Sequence, residues 1–244
     1  MGFLLPFVNL WGENSLCENG NDMKKTQIKS FSTGGGANLV GGGDLTESAL
    51  NAIRQNDLPI FCADAGLLAA QSAGLTVQGV IGDMDTVGKA DVDSVHMAFI
   101  PGQDTTDFDK SLALIDARYI LCFGFLGGRM DHSLASFSSI TKVDKPAFLI
   151  DEVDVCAVCP PHLALNLPIG TRFSIYPLVP TTARSTGLAY NLDDVALSPI
   201  GMVSTSNTTA TTHVQVWIDS GVALVIFPRG ELQTILDQWP FSNT

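Results

Sequence analysis

Residues 60–85 read IFCADAGLLAAQSAGLTVQGVIGDMD. Two apolar runs, Ile60 to Ala63 and Val77 to Ile81, have the length of buried strands, and each is followed within three residues by an aspartate and a glycine. Between them Ala65 to Ala73 has helical length, and Gly74 stands where a helix ends. Strand, acidic turn, helix and strand in that order predict a βα unit of a parallel sheet.

The same pattern extends in both directions. Upstream, Ala37 to Val40 reads as a strand, followed by Gly41-Gly42-Gly43 and a helix from Asp44 to about Gln55, with Asp44 and Glu47 as a capping box. Downstream come a strand at Val95 to Ile100, a helix at Asp104 to Ala117, a strand at Tyr119 to Phe123, a helix at Asp131 to Thr141 and a strand at Ala147 to Ile150. Residues 36–150 are therefore expected to form a doubly wound, mostly parallel α/β sheet that binds a nucleotide. After Asp151 helical periodicity vanishes, and short β runs at Val153 to Val158, Arg172 to Tyr176, Val214 to Ile218 and Val222 to Phe227 predict a C-terminal all-β sandwich domain over 151–244. The last two flank Asp219-Ser220-Gly221 and are expected to pair as a hairpin. Residues 1–35 read as an N-terminal extension, a partly disordered tail with Phe3 to Phe7 docked on the body or a partner subunit.

Composition narrows the function classes. Thirteen Lys plus Arg against 25 Asp plus Glu leave a net charge of −12, which repels nucleic acid and anionic membrane surfaces. The apolar start, Met1 to Trp11, is too short for a span of about 20 residues and has no basic flank before it. Five cysteines, an odd number, predict a reducing compartment and a cytoplasmic location. Cys156 and Cys159 lie three apart on a strand, so they face opposite ways and do not form a metal or redox pair.

In a parallel sheet, ligands bind beyond the carboxyl ends of the strands. Those positions here hold Gly42, Gly43, Asp64, Asp83, Asp85, Asp104, Asp107, Gly128 and Arg129. So many carboxylates in one place repel one another unless a cation sits among them, and oxygen ligands with room for phosphates suit magnesium. The glycines let backbone approach a phosphate, and Arg129 can grip its oxygens. Asp44, Asp104 and Asp131 also have a plain reading as helix N-caps, and His132 as a packed histidine. Neither the dinucleotide glycine fingerprint nor the phosphate-loop Gly-Lys-Ser/Thr is present.

Taken in order, these segments resemble the thiamine pyrophosphokinase family. The matching stretches are Cys62-Ala63-Asp64-Ala65-Gly66, Gly82-Asp83-Met84-Asp85-Thr86, Gln103-Asp104-Thr105-Thr106-Asp107 and Gly127-Gly128-Arg129-Met130-Asp131-His132. Ser185-Thr186-Gly187-Leu188 and Ser204-Thr205-Ser206-Asn207 follow in the second half. The resemblance implies transfer of diphosphate from ATP to thiamine with magnesium, releasing AMP, in a homodimer with thiamine at the subunit interface. It implies that Asp83, Asp85 and Asp107 hold the metal, with Asp64 nearby. Gln103, Asp104, Thr106, Gly128, Arg129 and Asp131 then position ATP or the reacting hydroxyl, and Ser206 and Asn207 contact thiamine. Either Asp83 or Asp107 is the general base. Trp217 is a candidate to stack on thiamine, with a strand core residue as its other reading. The sequence departs from the family at Ala65, which replaces a glycine, and at Leu67-Leu68, where Ala-Asn is usual. Two alternatives remain: a pterin as acceptor, or a nucleotide- or thiamine-binding homologue without catalysis.

Overall fold

The computed structural model describes residues 30–85, 95–102 and 104–241. Gln103, Thr86 and Phe3 to Phe7, named above, lie outside them. In chain order the first half runs β1 (Phe31–Ser32), β2 (Gly36–Val40), α1 (Glu47–Gln55), β3 (Ile60–Ala63), α2 (Gly66–Ser72), β4 (Gly79–Gly82) and β5 (His96–Phe99). It continues with α3 (Asp107–Leu114), β6 (Ile115–Asp116), β7 (Tyr119–Phe123), α4 (Met130–Ser139) and β8 (Ala147–Ile150). The second half runs β9 (Asp154–Val158), β10 (His162–Asn166), β11 (Ser174–Pro177), β12 (Thr181–Thr186) and β13 (Val195–Leu197). It ends with β14 (His213–Ser220), β15 (Ala223–Pro228) and α5 (Leu232–Gln238).

A nine-stranded sheet in the order β11-β15-β9-β8-β7-β2-β3-β4-β5 forms the spine. The six strands from β8 to β5 are parallel, as expected, and β9, β15 and β11 continue the same sheet antiparallel. The chain fills one side of β2 with β3, β4 and β5, then crosses to add β7 and β8 on the other. The carboxyl ends of β2 and β7 thus flank a topological switch point, where an α/β sheet opens a crevice.

Residues alternate between the two faces. Along β7, Leu121 and Phe123 join the core with Leu50 and Ile53 of α1, whereas Ile120 and Cys122 join the core with Phe108 and Leu112 of α3. Burial on both faces explains why these strands read as continuous apolar runs. The α1 side extends without interruption to Val225 and Phe227 of β15 and to Leu163 and Val216 of the second sheet, which has the order β10-β14-β12-β13. The antiparallel C-terminal domain is thus a sandwich that shares one core with α1 and α2. Cys156 and Cys159 fall in the two different cores, on opposite faces as expected.

Several local expectations are corrected. β14 and β15 do not form a hairpin. β14 pairs with β10 and β12, and β15 pairs with β9 and β11, so the turn at Gly221 carries the chain from one sheet to the other. Gly221 has φ +86°, and a Cβ there would lie 2.4 Å from the carbonyl oxygen of Pro180. Asp44 and Asp104 do not cap helices. Thr46 accepts the Ala49 amide and Thr106 accepts the Asp109 amide, so α1 and α3 start later than the aspartates suggested. Arg129 occupies the N-cap position of α4, with Asp131 inside its first turn. Helix α5 interrupts a region read as all β. Of the segment read as an extension, Phe31 and Ser32 pair with Ile115 and Asp116, and the Phe31 ring packs 5.1 Å from that of Phe61.

Candidate active site

The Asp64, Asp83 and Asp107 carboxylates each place one oxygen within 4.8 Å of the others. Their convergence follows from local chain geometry. Asp64 and Asp83 end the neighbouring strands β3 and β4, and Asp107 opens α3 above them. Gly82 is what lets them meet, because a Cβ there would lie 2.7 Å from Asp64 Cβ and 3.1 Å from Asp107 Cγ. Asp85 joins from the side. Met84 takes a left-handed φ of 61°, which curls the chain back, and the Asp85 carboxyl is pushed above the usual carboxylate range by a hydrogen bond with Asp64 and by the charge of Asp83. The compact trio therefore contains Asp64 where the sequence reading put Asp85, with Asp85 beside it.

Asp83, Asp85 and Asp107 open onto a cavity of about 440 Å³ that also includes Asp104, Thr106 and Asp109 in its wall. Two lysines enter the same wall. Lys142 Nζ lies 2.9 Å from Asp109, and Lys110 Nζ lies 2.8 Å from Asp107 Oδ1. Burial pushes the Asp109 carboxyl up, but hydrogen bonds from Lys142, Thr106 and Ser139 outweigh it and hold the group below its ordinary value. Neither lysine was singled out from sequence: Lys110, three residues after Asp107 on a helix, reads as a solvated surface pair, and Lys142 meets Asp109 only through the fold.

A second cavity, of about 610 Å³, adjoins through Thr106 and Asp107. Its floor is the switch point. Gly41 and Gly43 donate to the carbonyls of Phe123 and Gly124, and a Cβ at Gly43 would lie 2.7 Å from Gly124 O. Gly42 faces Ala65, whose methyl leaves no room for another. One wall is the loop Gly127-Gly128-Arg129, and another is the α4 face bearing His132, Ser136 and Ser139. That row of small polar residues at helical spacing was the available signal for this wall, and the sequence reading passed over it. Arg129 reaches back in a two-point contact, Nε to Asp131 Oδ1 at 3.1 Å and the terminal nitrogen to Oδ2 at 2.5 Å. The guanidinium lies in the cavity wall with its ion partner already in place.

The thiamine candidates lie in the C-terminal domain. Asn207 is 3% exposed, and its amide makes three hydrogen bonds: Nδ2 donates to Tyr190 O at 2.7 Å, and Oδ1 accepts from the amides of Tyr190 and Thr208. Ser206 beside it is exposed with φ 59°, its amide donating to Ser174 Oγ. Tyr190, held by Asn207, is 77% exposed and was not singled out from sequence. Trp217 sits on the outer face of the four-stranded sheet. His162 stacks on it from β10 with centroids 5.0 Å apart, and Arg184 lies over it from β12 at 5.3 Å. Its ring is thus flanked by side chains from both neighbouring strands.

Comparison with known proteins places both halves of the chain. The family model described as thiamin pyrophosphokinase, catalytic domain, matches residues 50–150, and that described as thiamin pyrophosphokinase, vitamin B1 binding domain, matches residues 163–223. Thiamin pyrophosphokinase 1 of Caenorhabditis elegans is 30% identical over 165 residues, 60% of this chain and 67% of that one. Thiamine pyrophosphokinase 1 of rice is 32% identical over 184 residues, 61% of this chain and 65% of that one. Among solved structures, thiamine pyrophosphokinase from Bacillus subtilis superposes with a TM-score of 0.68 at 20% identity, covering 79% of this chain and 98% of its own. At that identity the superposition speaks for the fold alone. The sequence matches fall in both halves of the chain, and the chain belongs to the thiamin pyrophosphokinase family.

Proposed function

We propose that the Asp64, Asp83 and Asp107 cluster binds Mg²⁺ and, with the adjoining glycine-lined cavity, transfers diphosphate from ATP to the hydroxyl of thiamine. The family's activity is a thiamine pyrophosphokinase reaction, a diphosphotransfer. The observation that carries the site assignment is the gathering of three carboxylate oxygens within 4.8 Å beside a cavity walled by glycines and Arg129. Hard oxygen donors in a small acidic cluster fit Mg²⁺, and Gly82 keeps the space between them free of side chain. When bound, the ion supplies charge neutralisation to the phosphates.

The chain's own residues do the rest. Gly42, Gly43 and Gly128 admit phosphate oxygens close to backbone, and His132, Ser136 and Ser139 line the space left for the nucleoside. Arg129 exchanges its Asp131 partner for phosphate oxygens when the nucleotide binds, and then donates to the charge that develops on them. Asp104 and Thr106 lie at the acidic wall. Asp107 already carries Lys110 on Oδ1, which favours Asp83 as the acceptor of the thiamine hydroxyl proton. For thiamine itself, exposed Tyr190 with Ser206 suits a cationic aromatic ligand better than Trp217, whose ring is already flanked. In this reading Asn207 acts by holding Tyr190.

The exposed side chains of Tyr190, Ile200 and Met202 in the C-terminal half support a second subunit covering this half of the chain. The buried free thiols of Cys62, Cys122, Cys156 and Cys159 fit a reducing, cytoplasmic setting. Among the described residues no helix is long and apolar enough to cross a membrane.

Incubation with ATP, Mg²⁺ and thiamine, with products identified by mass, tests the reading. Thiamine diphosphate and AMP should appear in equal amounts. AMP formed equally without thiamine, or preferential diphosphorylation of a hydroxymethylpterin offered alongside, would overturn the acceptor.

A further inference from the structure

The carboxylates have roles in metal and proton binding, but Lys110 beside them has none so far. Its side chain is only 3% exposed, yet it belongs to the wall of the acidic cavity with Asp83 and Asp85. One helical turn beyond Asp107, its ammonium sits 2.8 Å from Asp107 Oδ1, an oxygen of the compact trio's residue. Burying an ammonium is costly unless it is closely paired, and gathering carboxylates is costly unless they are neutralised. Each cost is offset by the other here. Lys142, the second lysine of this wall, is turned to Asp109, so among the described residues Lys110 is the cation that serves the trio.

We propose that Lys110 is the resident countercharge of the cluster, a positioning residue that holds Asp107 in place before the divalent cation arrives and competes with that cation for it. The inference rests on the cation reading of the trio. It has a functional consequence: the free enzyme binds the divalent ion more weakly than its carboxylates alone would allow. Entry of the ion is thereby tied to the nucleotide, whose phosphates bring negative charge that offsets the ammonium. A charge placed this way discourages a metal-loaded, nucleotide-free site from accumulating.

The test is titration of Mn²⁺ into the nucleotide-free protein by calorimetry, using wild type, Lys110→Met, Lys110→Arg and Asp83→Asn, with melting followed in parallel. Lys110→Met should bind Mn²⁺ at least about tenfold more tightly than wild type, since a unit charge a few ångströms away has been removed. Lys110→Arg should stay near wild type. Without metal, Lys110→Met should melt below wild type, and Mn²⁺ should raise its midpoint by more than it raises that of wild type. Unchanged or weaker Mn²⁺ binding by a folded Lys110→Met overturns the proposal. So does a Lys110→Met protein that stays unfolded at saturating Mn²⁺, because the side chain would then be needed for packing rather than charge. Asp83→Asn must weaken Mn²⁺ binding whether or not Lys110 competes. If it does not, the cation reading itself fails.

Discussion

Gly82 and Asp64 touch across the ends of two adjacent strands, so closely that a Cβ on residue 82 would lie 2.7 Å from the Cβ of Asp64. Asp107 Cγ is next, at 3.1 Å from the same point. Asp64 and Asp107 can thus approach Asp83 only because residue 82 has no side chain. Gly82→Ala should displace one or both carboxylates and lower kcat/KM at least about 100-fold, since ångström-scale misplacement costs that much. Overpacking should cost about 1–3 kcal/mol of stability. Steady-state kinetics beside a urea melt separate the two effects, and near-native activity would show that the trio's tight geometry is not required.

Tyr190 and Asn207 form a second linked pair. Tyr190→Ala should raise the KM for thiamine about tenfold or more, through loss of aromatic contact with a cation, and leave the KM for ATP unchanged. Tyr190→Phe should retain most of the affinity. Asn207→Ala leaves the Tyr190 backbone without its partners, so it should mimic Tyr190→Ala and also cost about 1–3 kcal/mol of stability. Trp217→Leu should affect thiamine less than Tyr190→Ala does, and the opposite order would return the stacking role to Trp217.

Asp109 sets a pH dependence. Its carboxyl is pushed up by burial but held down overall by Lys142, Thr106 and Ser139, so its folded-state pKa lies below the unfolded value of about 3.9. A depressed carboxylate stabilises the fold fully above the unfolded pKa and loses that contribution as pH falls through the folded one. In chelator-treated protein, Asp109→Asn should therefore be less stable than wild type at pH 7, by about 1–2 kcal/mol for the lost capping box and charged hydrogen bonds. The gap should close progressively below about pH 4. Denaturant melts across that range provide the measurement, and a gap independent of pH would contradict the assignment.

What could be read from sequence followed from which interactions are local. The parallel strands were legible because burial on both faces makes each one an unbroken apolar run, and the acidic and glycine residues after them marked one edge of the sheet. The hairpin failed because Asp219-Ser220-Gly221 looks the same whether the chain reverses within a sheet or crosses between two. Only the long-range pairing of β14 with β12 distinguishes the cases. Asp44 and Asp104 read as caps, whereas the nearby threonines, Thr46 and Thr106, do that work. Lys110 escaped notice because its burial depends on how α3 packs over β4, which the i, i+3 spacing does not reveal.

Arg129 and Asp131 test how the phosphates are gripped. Arg129→Ala should lower kcat/KM by about 100-fold or more, as loss of a donor to the transition-state charge does. Arg129→Lys should recover little of it, because the two-point fork seen on Asp131 is lost. Rates measured at saturating Mg²⁺ and ATP check this. Full recovery by lysine would mean that the side chain acts only as a diffuse charge.

The central claim is that the carboxylate cluster at the ends of β3 and β4 carries the diphosphotransfer. The most direct measurement is thiamine diphosphate formation from ATP, Mg²⁺ and thiamine by wild type and by Asp83→Asn, each with its melting curve. The account predicts a cooperatively folded Asp83→Asn protein whose rate has fallen by at least about 1,000-fold, the scale on which loss of a charge-stabilising group acts. Undiminished thiamine diphosphate formation by that folded variant would contradict it.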